Sequence, residues 1–260
     1  MNSMQRMLKN MHHTYAKTVQ NCFGTSYRML VFDLDGTLCP LGKGMLPRDV
    51  ERLRRLENAG YQIVVCSGKP TYYLCGFLRQ VGLDHPIMVG ENGATVQFGV
   101  DLPPKQYYEH PYSSEARAQI RFFRDAIDKA CGSLVWYQPN EVELTPFVRE
   151  ASALDIIQGL VDAHDEKTTE LNIYRFVDCF DFVPKNINKM NGMKFLGELT
   201  GIPCEQMISF GDGINDIPMF QGTGMSVGIG DQLSYPTDLH FETIGEALAY
   251  IEHVTEGESV

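Results

Sequence analysis

A four-residue apolar run, Met29 to Phe32, stops abruptly at Asp33-Leu34-Asp35-Gly36-Thr37, and this junction restricts the fold more than any other stretch of the chain. An apolar run without polar alternation suits a strand buried on both faces, the habit of a parallel sheet covered by helices. Ligands of open α/β sheets collect at the carboxyl ends of the strands. Two carboxylates one residue apart, followed by a glycine turn, therefore stand where such a sheet does chemistry. A carboxylate can attack phosphorus as a nucleophile, and carboxylates supply the hard oxygen ligands that Mg²⁺ prefers. Asp and Gly are also ordinary turn residues, so a second junction is needed to decide the meaning of the first.

That second junction lies far downstream. Met207-Ile208-Ser209-Phe210 reads as another short buried strand and ends in Gly211-Asp212-Gly213-Ile214-Asn215-Asp216. The glycines permit a tight turn with close backbone approach, and Asp212 falls at a strand end as Asp33 does. Asn215 and Asp216 would open a short helix, which Pro218 can join at an early position. Carboxylates crowded in this way repel one another unless a cation offsets them.

Taken together, Asp33-x-Asp35-Gly36-Thr37 and Gly211-Asp212-Gly213-x-Asn215-Asp216 resemble the phosphatases of the haloacid dehalogenase superfamily. The chain is similar to the branch with a large cap domain, the Cof-type and sucrose-phosphatase-like group, over about residues 28–254. The resemblance implies an α/β fold: a Rossmann-like core with a parallel sheet, interrupted by an α+β cap of the C2 type. It also implies two further motifs. Ser67-Gly68-Lys69-Pro70 follows the apolar run at 62–66, and Ser67 and Gly68 match the phosphate-binding position. Lys69 stands where members often carry arginine, keeping the charge but not the two-pronged geometry. Lys189, which opens a helical pattern through Met193 and Leu196, matches the motif lysine, with Lys185 and Lys194 as neighbouring alternatives. A site of several aspartates and a phosphate needs a fixed cation besides a metal.

The roles implied by the resemblance are specific. Asp33 is the nucleophile and Asp35 the general acid and base. Ser67, Gly68, Lys189 and Asn215 hold phosphoryl oxygens. The metal group is Asp33, Asp35 through its backbone carbonyl, Asp212 and Asp216, and the metal is Mg²⁺; Asp216 orients either the metal waters or Lys189. The expected activity is hydrolysis of a small phosphorylated metabolite through an aspartyl-phosphate. A phosphosugar mutase of the phosphomannomutase type and a non-catalytic phosphometabolite-binding module are the alternatives.

Hydrophobic period gives the organisation. Strands at 29–32, 63–66 and 87–89 alternate with helices at 47–59 and 71–81, a βαβαβ pattern that specifies a parallel sheet. After Glu91-Asn92-Gly93 the pattern changes to short strands at 95–98, 134–138, 142–145, 171–176 and 179–183, with helices at 114–130 and 153–163. It returns at Lys189, with strands at 207–210 and 225–227 and a closing helix at 244–253. The expected division is a tail at 1–27, a core at 28–92 and 184–260, and an inserted cap at 93–183 that acts as a lid and excludes water from the intermediate. Within the cap, Trp136, Tyr137, Arg149 and Arg175 are candidate substrate contacts, and Asn92 matches the asparagine-glycine of related hinges.

Composition narrows the partners. The chain of 260 residues carries a net charge of −11. With Arg48, Arg52, Arg54 and Arg55 interleaved with acids, no basic patch invites nucleic acid. Seven cysteines without CxxC spacing suggest reduced thiols in a cytoplasmic protein rather than disulfides or zinc, with Cys39 and Cys66 as packing residues. No run is long and apolar enough to span a membrane, and the first 27 residues lack the apolar centre of a secretory signal. Oligomeric state is not encoded in any of these patterns.

Overall fold

The computed structural model describes residues 19–20, 26–231 and 234–255; the helical periodicity expected near the N-terminus and Cys22 lie outside the described residues. In chain order the strands are β1 (Val19–Gln20), β2 (Ser26–Tyr27), β3 (Met29–Phe32), β4 (Gln62–Cys66), β5 (Ile87–Gly90), β6 (Thr95–Phe98) and β7 (Gln106–Glu109), then β8 (Val135–Tyr137), β9 (Pro146–Val148), β10 (Leu171–Arg175), β11 (Phe180–Pro184), β12 (Met207–Gly211), β13 (Met225–Ile229) and β14 (Leu239–Phe241). The α-helices are α1 (Pro47–Ala59), α2 (Thr71–Val81), α3 (Ser114–Cys131), α4 (Ser152–Ala163), α5 (Lys189–Thr200), α6 (Ile217–Phe220) and α7 (Ile244–Thr255). The chain divides into two compact units, residues 1–108 with 188–260, and residues 109–187.

The first unit is built on an eight-stranded sheet of order β14-β13-β12-β3-β4-β5-β6-β7. From β14 to β5 neighbouring strands run parallel, and β6 returns antiparallel to β5. Side chains alternate between two apolar layers. Leu30, Phe32, Ile63 and Val65 pack with Leu53 and Leu56 of α1, Leu74 and Leu78 of α2 and Leu248 of α7. Met29, Val31, Val64 and Cys66 pack on the other face with Met193, Leu196 and Leu199 of α5. Both faces are thus covered, which is why these strands read as unbroken apolar runs. Helix α1 starts with proline in its first turn, and Gly60 closes it at φ 111°, its N–H returning to Glu57 and Leu56 carbonyls.

The connections define the position of the site. The chain leaves β3 toward β4 and leaves β12 toward β13, on opposite sides, while β3 and β12 lie side by side. Their carboxyl ends therefore flank the point where strand order reverses, the place where open α/β sheets bind ligands.

The second unit is a small α+β fold. The hairpins β8–β9 and β10–β11 are linked by single bridges, Leu144 with Phe182 and Phe147 with Cys179. Phe123 and Ile127 of α3 and Leu154 and Ile157 of α4 fill its core with Val135, Phe180 and Phe182. Ser113 caps α3, accepting from the Ala116 N–H at 3.0 Å.

Two expectations need correction. The insertion was expected to begin at 93, but β6 extends the main sheet, so the second unit begins at Glu109 and ends at Ile187. An antiparallel return strand and the first strand of an insertion carry the same local pattern. The strand expected at 142–145 lies instead at Pro146–Val148. Proline opens it, a position where its missing N–H is tolerated. Val142 and Leu144 are buried before the strand begins.

Candidate active site

Asp33 is the first residue after β3. Its N–H donates to the Phe210 carbonyl of β12 at 2.9 Å, so it is locked to the neighbouring strand. Because Phe32 faces the α1 side, Asp33 faces the α5 side, toward Lys189 in the first turn of α5. Lys189 is 1% exposed, and its Nζ donates to Asp33 Oδ1 at 2.5 Å and to Asp216 Oδ1 at 2.6 Å. The second oxygen of Asp216 accepts the N–H groups of Asp212 at 3.0 Å and Gly213 at 2.9 Å. Asp216 thus ties the lysine to the loop after β12, with both of its oxygens in use.

Asp212 sits at the end of β12. Its Oδ1 accepts from the Thr37 hydroxyl at 2.7 Å, joining the two strand-end loops. Gly36, at φ 97°, lies so close that a Cβ there would overlap the Asp212 carboxylate. One oxygen each of Asp33, Asp212 and Asp216 falls within 4.8 Å of the others. Among the described residues, Asp33 Oδ2 has no hydrogen-bond donor from the protein, and the Asp212 carboxylate takes only the Thr37 hydroxyl and a bond from its own backbone N–H. These oxygens are hard donors suited to a divalent cation that prefers oxygen ligands.

The electrostatics follow from burial. Burial pushes the Asp33 carboxyl up to about 7; Lys189 opposes this, and the charges of Asp216 and Asp212 add to it. Asp212 is also raised, first by burial, with its bond from Thr37 working the other way. Burial disfavours the Lys189 charge, yet the flanking Asp33 and Asp216 carboxylates prevail and hold its pKa above the ordinary lysine range. Next to this group, burial pushes the Cys66 thiol up to about 12, and burial together with the Asp35 charge pushes Cys39 up to about 11. Both thiols stay protonated and serve as packing.

The other expected residues are placed as follows. Ser67 is buried just beyond β4, its N–H on the Val89 carbonyl at 2.9 Å and its hydroxyl accepting from the Lys69 N–H at 3.3 Å. Gly68 lies under the Asn92 side chain, 3.3 Å from where a Cβ would stand. Asn215 is exposed on the turn before α6. The Asp35 carboxylate is not part of the three-aspartate group and pairs with Lys69 at 3.7 Å. Lys189, rather than Lys185 or Lys194, is the lysine among the aspartates.

The sequence gives no role to Thr37 or Glu91, and to Lys69 only the positive charge of the arginine that family members often carry there. Thr37 lies within the first motif, and its hydroxyl was the available signal. Glu91 and Asn92 both adopt left-handed backbone, φ 50° and 53°. Asn-Gly at 92–93 carries the usual sequence signal for such a turn. In the second unit, Arg175 pairs with Asp155 at 2.8 Å and lies over the Phe180 ring, and Arg124 covers Tyr137. Trp136 is half exposed and meets Phe147, with ring centroids 5.8 Å apart; Arg149 is exposed.

Comparison with known proteins agrees with this geometry. The family model described as haloacid dehalogenase-like hydrolase matches residues 30–174 and 139–233. The chain is 26% identical over 238 residues to a phosphoglycolate phosphatase of Methanosarcina acetivorans, covering 89% of this chain and 92% of that protein. It is 22% identical over 238 residues to a 5-amino-6-(5-phospho-D-ribitylamino)uracil phosphatase of Bacillus subtilis, covering 78% and 86%. The fold is similar to that of a haloacid dehalogenase-like hydrolase from Bacteroides thetaiotaomicron, with TM-score 0.68, 22% identity and coverage of 86% of this chain and 99% of that one. With aspartates at two adjoining strand ends, a buried lysine between them and a family model spanning most of the sequence, the chain belongs to the haloacid dehalogenase-like hydrolases, on the phosphatase side of that family.

Proposed function

We propose that this enzyme hydrolyses phosphomonoesters of small metabolites in the cytoplasm, through an aspartyl-phosphate on Asp33, with Mg²⁺ as its metal. The observation that carries the reading is the buried Lys189 held between Asp33 and Asp216, beside the strand-end Asp212. Asp33 attacks phosphorus with one carboxylate oxygen, and the bond to the leaving oxygen breaks as the new one forms. Asp35 gives that leaving oxygen a proton, then takes one from the water that cleaves the aspartyl-phosphate. Ser67, Gly68 and Lys189 hold the phosphoryl oxygens, and Asn215 stands at the rim of the same loop. Asp33, Asp212 and the backbone carbonyl of Asp35 would hold Mg²⁺, which supplies positive charge where the phosphoryl group gathers negative charge.

Asp216, expected as a metal residue, is given a different task here. Its oxygens are occupied by Lys189 and two N–H groups, so it positions the lysine and the Asp212 loop. Among the described residues no helix is long and apolar enough to cross a membrane.

The test is phosphate release from a panel of phosphomonoesters by the purified chain with Mg²⁺. Turnover that chelation abolishes and Mg²⁺ restores supports the reading. Absence of turnover on every ester, or full turnover after exhaustive chelation, contradicts it.

A further inference from the structure

Lys69 has no task in the reading above, yet its Nζ lies 3.7 Å from Asp35 Oδ2. Among the described residues the Asp35 carboxylate has no other ionic or hydrogen-bonding partner. Both side chains are about one-third exposed, 33% and 29%. A pair so open to water adds little to stability, so its consequence is direction rather than strength.

The loop that carries Lys69 is fixed from both sides. The Lys69 N–H donates to Ser67 Oγ at 3.3 Å, and its carbonyl accepts the Glu91 N–H at 3.0 Å. Pro70 fixes the next backbone angle. The Asn92 N–H reaches the Ser67 carbonyl at 3.0 Å. Glu91 and Asn92 make these bonds from consecutive left-handed conformations, φ 50° and 53°, which non-glycine residues adopt only when their surroundings require it. Two strained residues are thus committed to holding the Ser67–Lys69 backbone.

We infer that Lys69 is the positioning residue for Asp35, a role that rests on the phosphomonoesterase reading. Lys69 faces Asp35 Oδ2 as its ion-pair partner, 3.7 Å away, and so leaves Oδ1 to turn toward the leaving group. In the first step the proton passes from Asp35 to the ester oxygen. The electron pair of the breaking P–O bond goes to that same oxygen, and Asp33 forms its bond to phosphorus. The products are a neutral alcohol and the aspartyl-phosphate.

The signature of this role is dependence on the leaving group. A nitrophenolate departs without help, whereas an alkoxide needs the proton. The test compares p-nitrophenyl phosphate with β-glycerophosphate, in Mg²⁺, for the wild type, Lys69→Met and Lys69→Arg. Lys69→Met is expected to lower kcat on the glycerol ester about 10- to 100-fold and on the nitrophenyl ester less than about threefold, as loss of well-placed general acid catalysis requires. KM is expected to stay nearly constant, and Lys69→Arg to recover most of the lost rate. Equal losses on both esters, a raised KM with unchanged kcat, or no loss would overturn the role. Lys69→Gln repeats the comparison should the apolar variant fail to fold. A wild type that cleaves neither ester overturns the phosphatase reading and this role with it. A wild type that cleaves both, with variants that do not discriminate between them, overturns this role alone.

Discussion

Gly192 and Gly93 meet backbone to backbone: a Cβ on Gly192 would lie 2.5 Å from Gly93 Cα, and one on Gly93 3.0 Å from Gly192 Cα. Gly192 is one helical turn beyond Lys189, so this contact sets where α5 begins and how deep its lysine reaches. Replacing Gly192 by alanine forces the helix away from the 91–93 turn. Gly192→Ala is expected to cost about 1–3 kcal/mol of stability, as overpacking does, and to lower turnover on every phosphomonoester. Urea denaturation together with p-nitrophenyl phosphate hydrolysis checks this, and a variant unchanged in both would show that the helix start does not depend on the contact.

Lys189 offsets two buried carboxylates at once. Lys189→Met leaves Asp33 and Asp216 without their cation, and breaking a buried pair from one side costs about 3–5 kcal/mol. The loss should shrink in acid, because protonated carboxyls need no partner. Urea unfolding of wild type and variant without metal, near neutral pH and again near pH 5, below the Asp33 value of about 7, is the measurement. A penalty that stays the same or grows in acid would contradict the pairing.

Cation binding should depend on pH through Asp33. Its carboxyl is raised from 3.8 to about 7, with burial as the chief cause. A raised carboxyl favours the protonated form in the fold. In the metal-free protein, stability is therefore fully present below the unfolded value of 3.8 and is lost as pH rises toward about 7. A divalent cation binds the ionised form and must displace the proton, so its affinity should rise across the same window. Titration calorimetry with Mg²⁺ in buffers of different ionisation enthalpy should show proton release at pH 6 that fades by pH 8, either side of the Asp33 midpoint at about 7. Affinity that does not change with pH, with no proton released, would place the cation elsewhere.

The residues legible in the sequence are those whose role follows from neighbours along the chain. Asp33 and Asp212 announce themselves because apolar strands end at them and glycines follow. Lys189 is legible from its register with Met193 and Leu196, which both pack in the apolar layer beneath the sheet. What was hidden depends on contacts between distant segments. Nothing near Lys69 indicates that its partner is Asp35, 34 residues earlier. Nothing near Arg175 reveals that Asp155 already holds it. Residues 95–98 looked like the start of the insertion because a strand returning antiparallel to β5 has the same period as a strand of a new sheet. Asp216 reads as a ligand by residue type, and its place in the three-aspartate group accords with that, while its three bonds, to Lys189 and to the Asp212 and Gly213 N–H groups, come from distant segments that its neighbours in sequence do not announce.

The central claim is that phosphorus becomes bonded to Asp33. Rapid acid quenching of the enzyme during turnover of a phosphomonoester with Mg²⁺, then borohydride reduction, converts an aspartyl-phosphate to homoserine, which peptide mass mapping can locate. The expected result is homoserine at position 33 in the wild type, with Asp33→Asn unlabelled and slowed by several orders of magnitude. Label at another aspartate, or an Asp33→Asn variant that turns over at close to the wild-type rate, would contradict it.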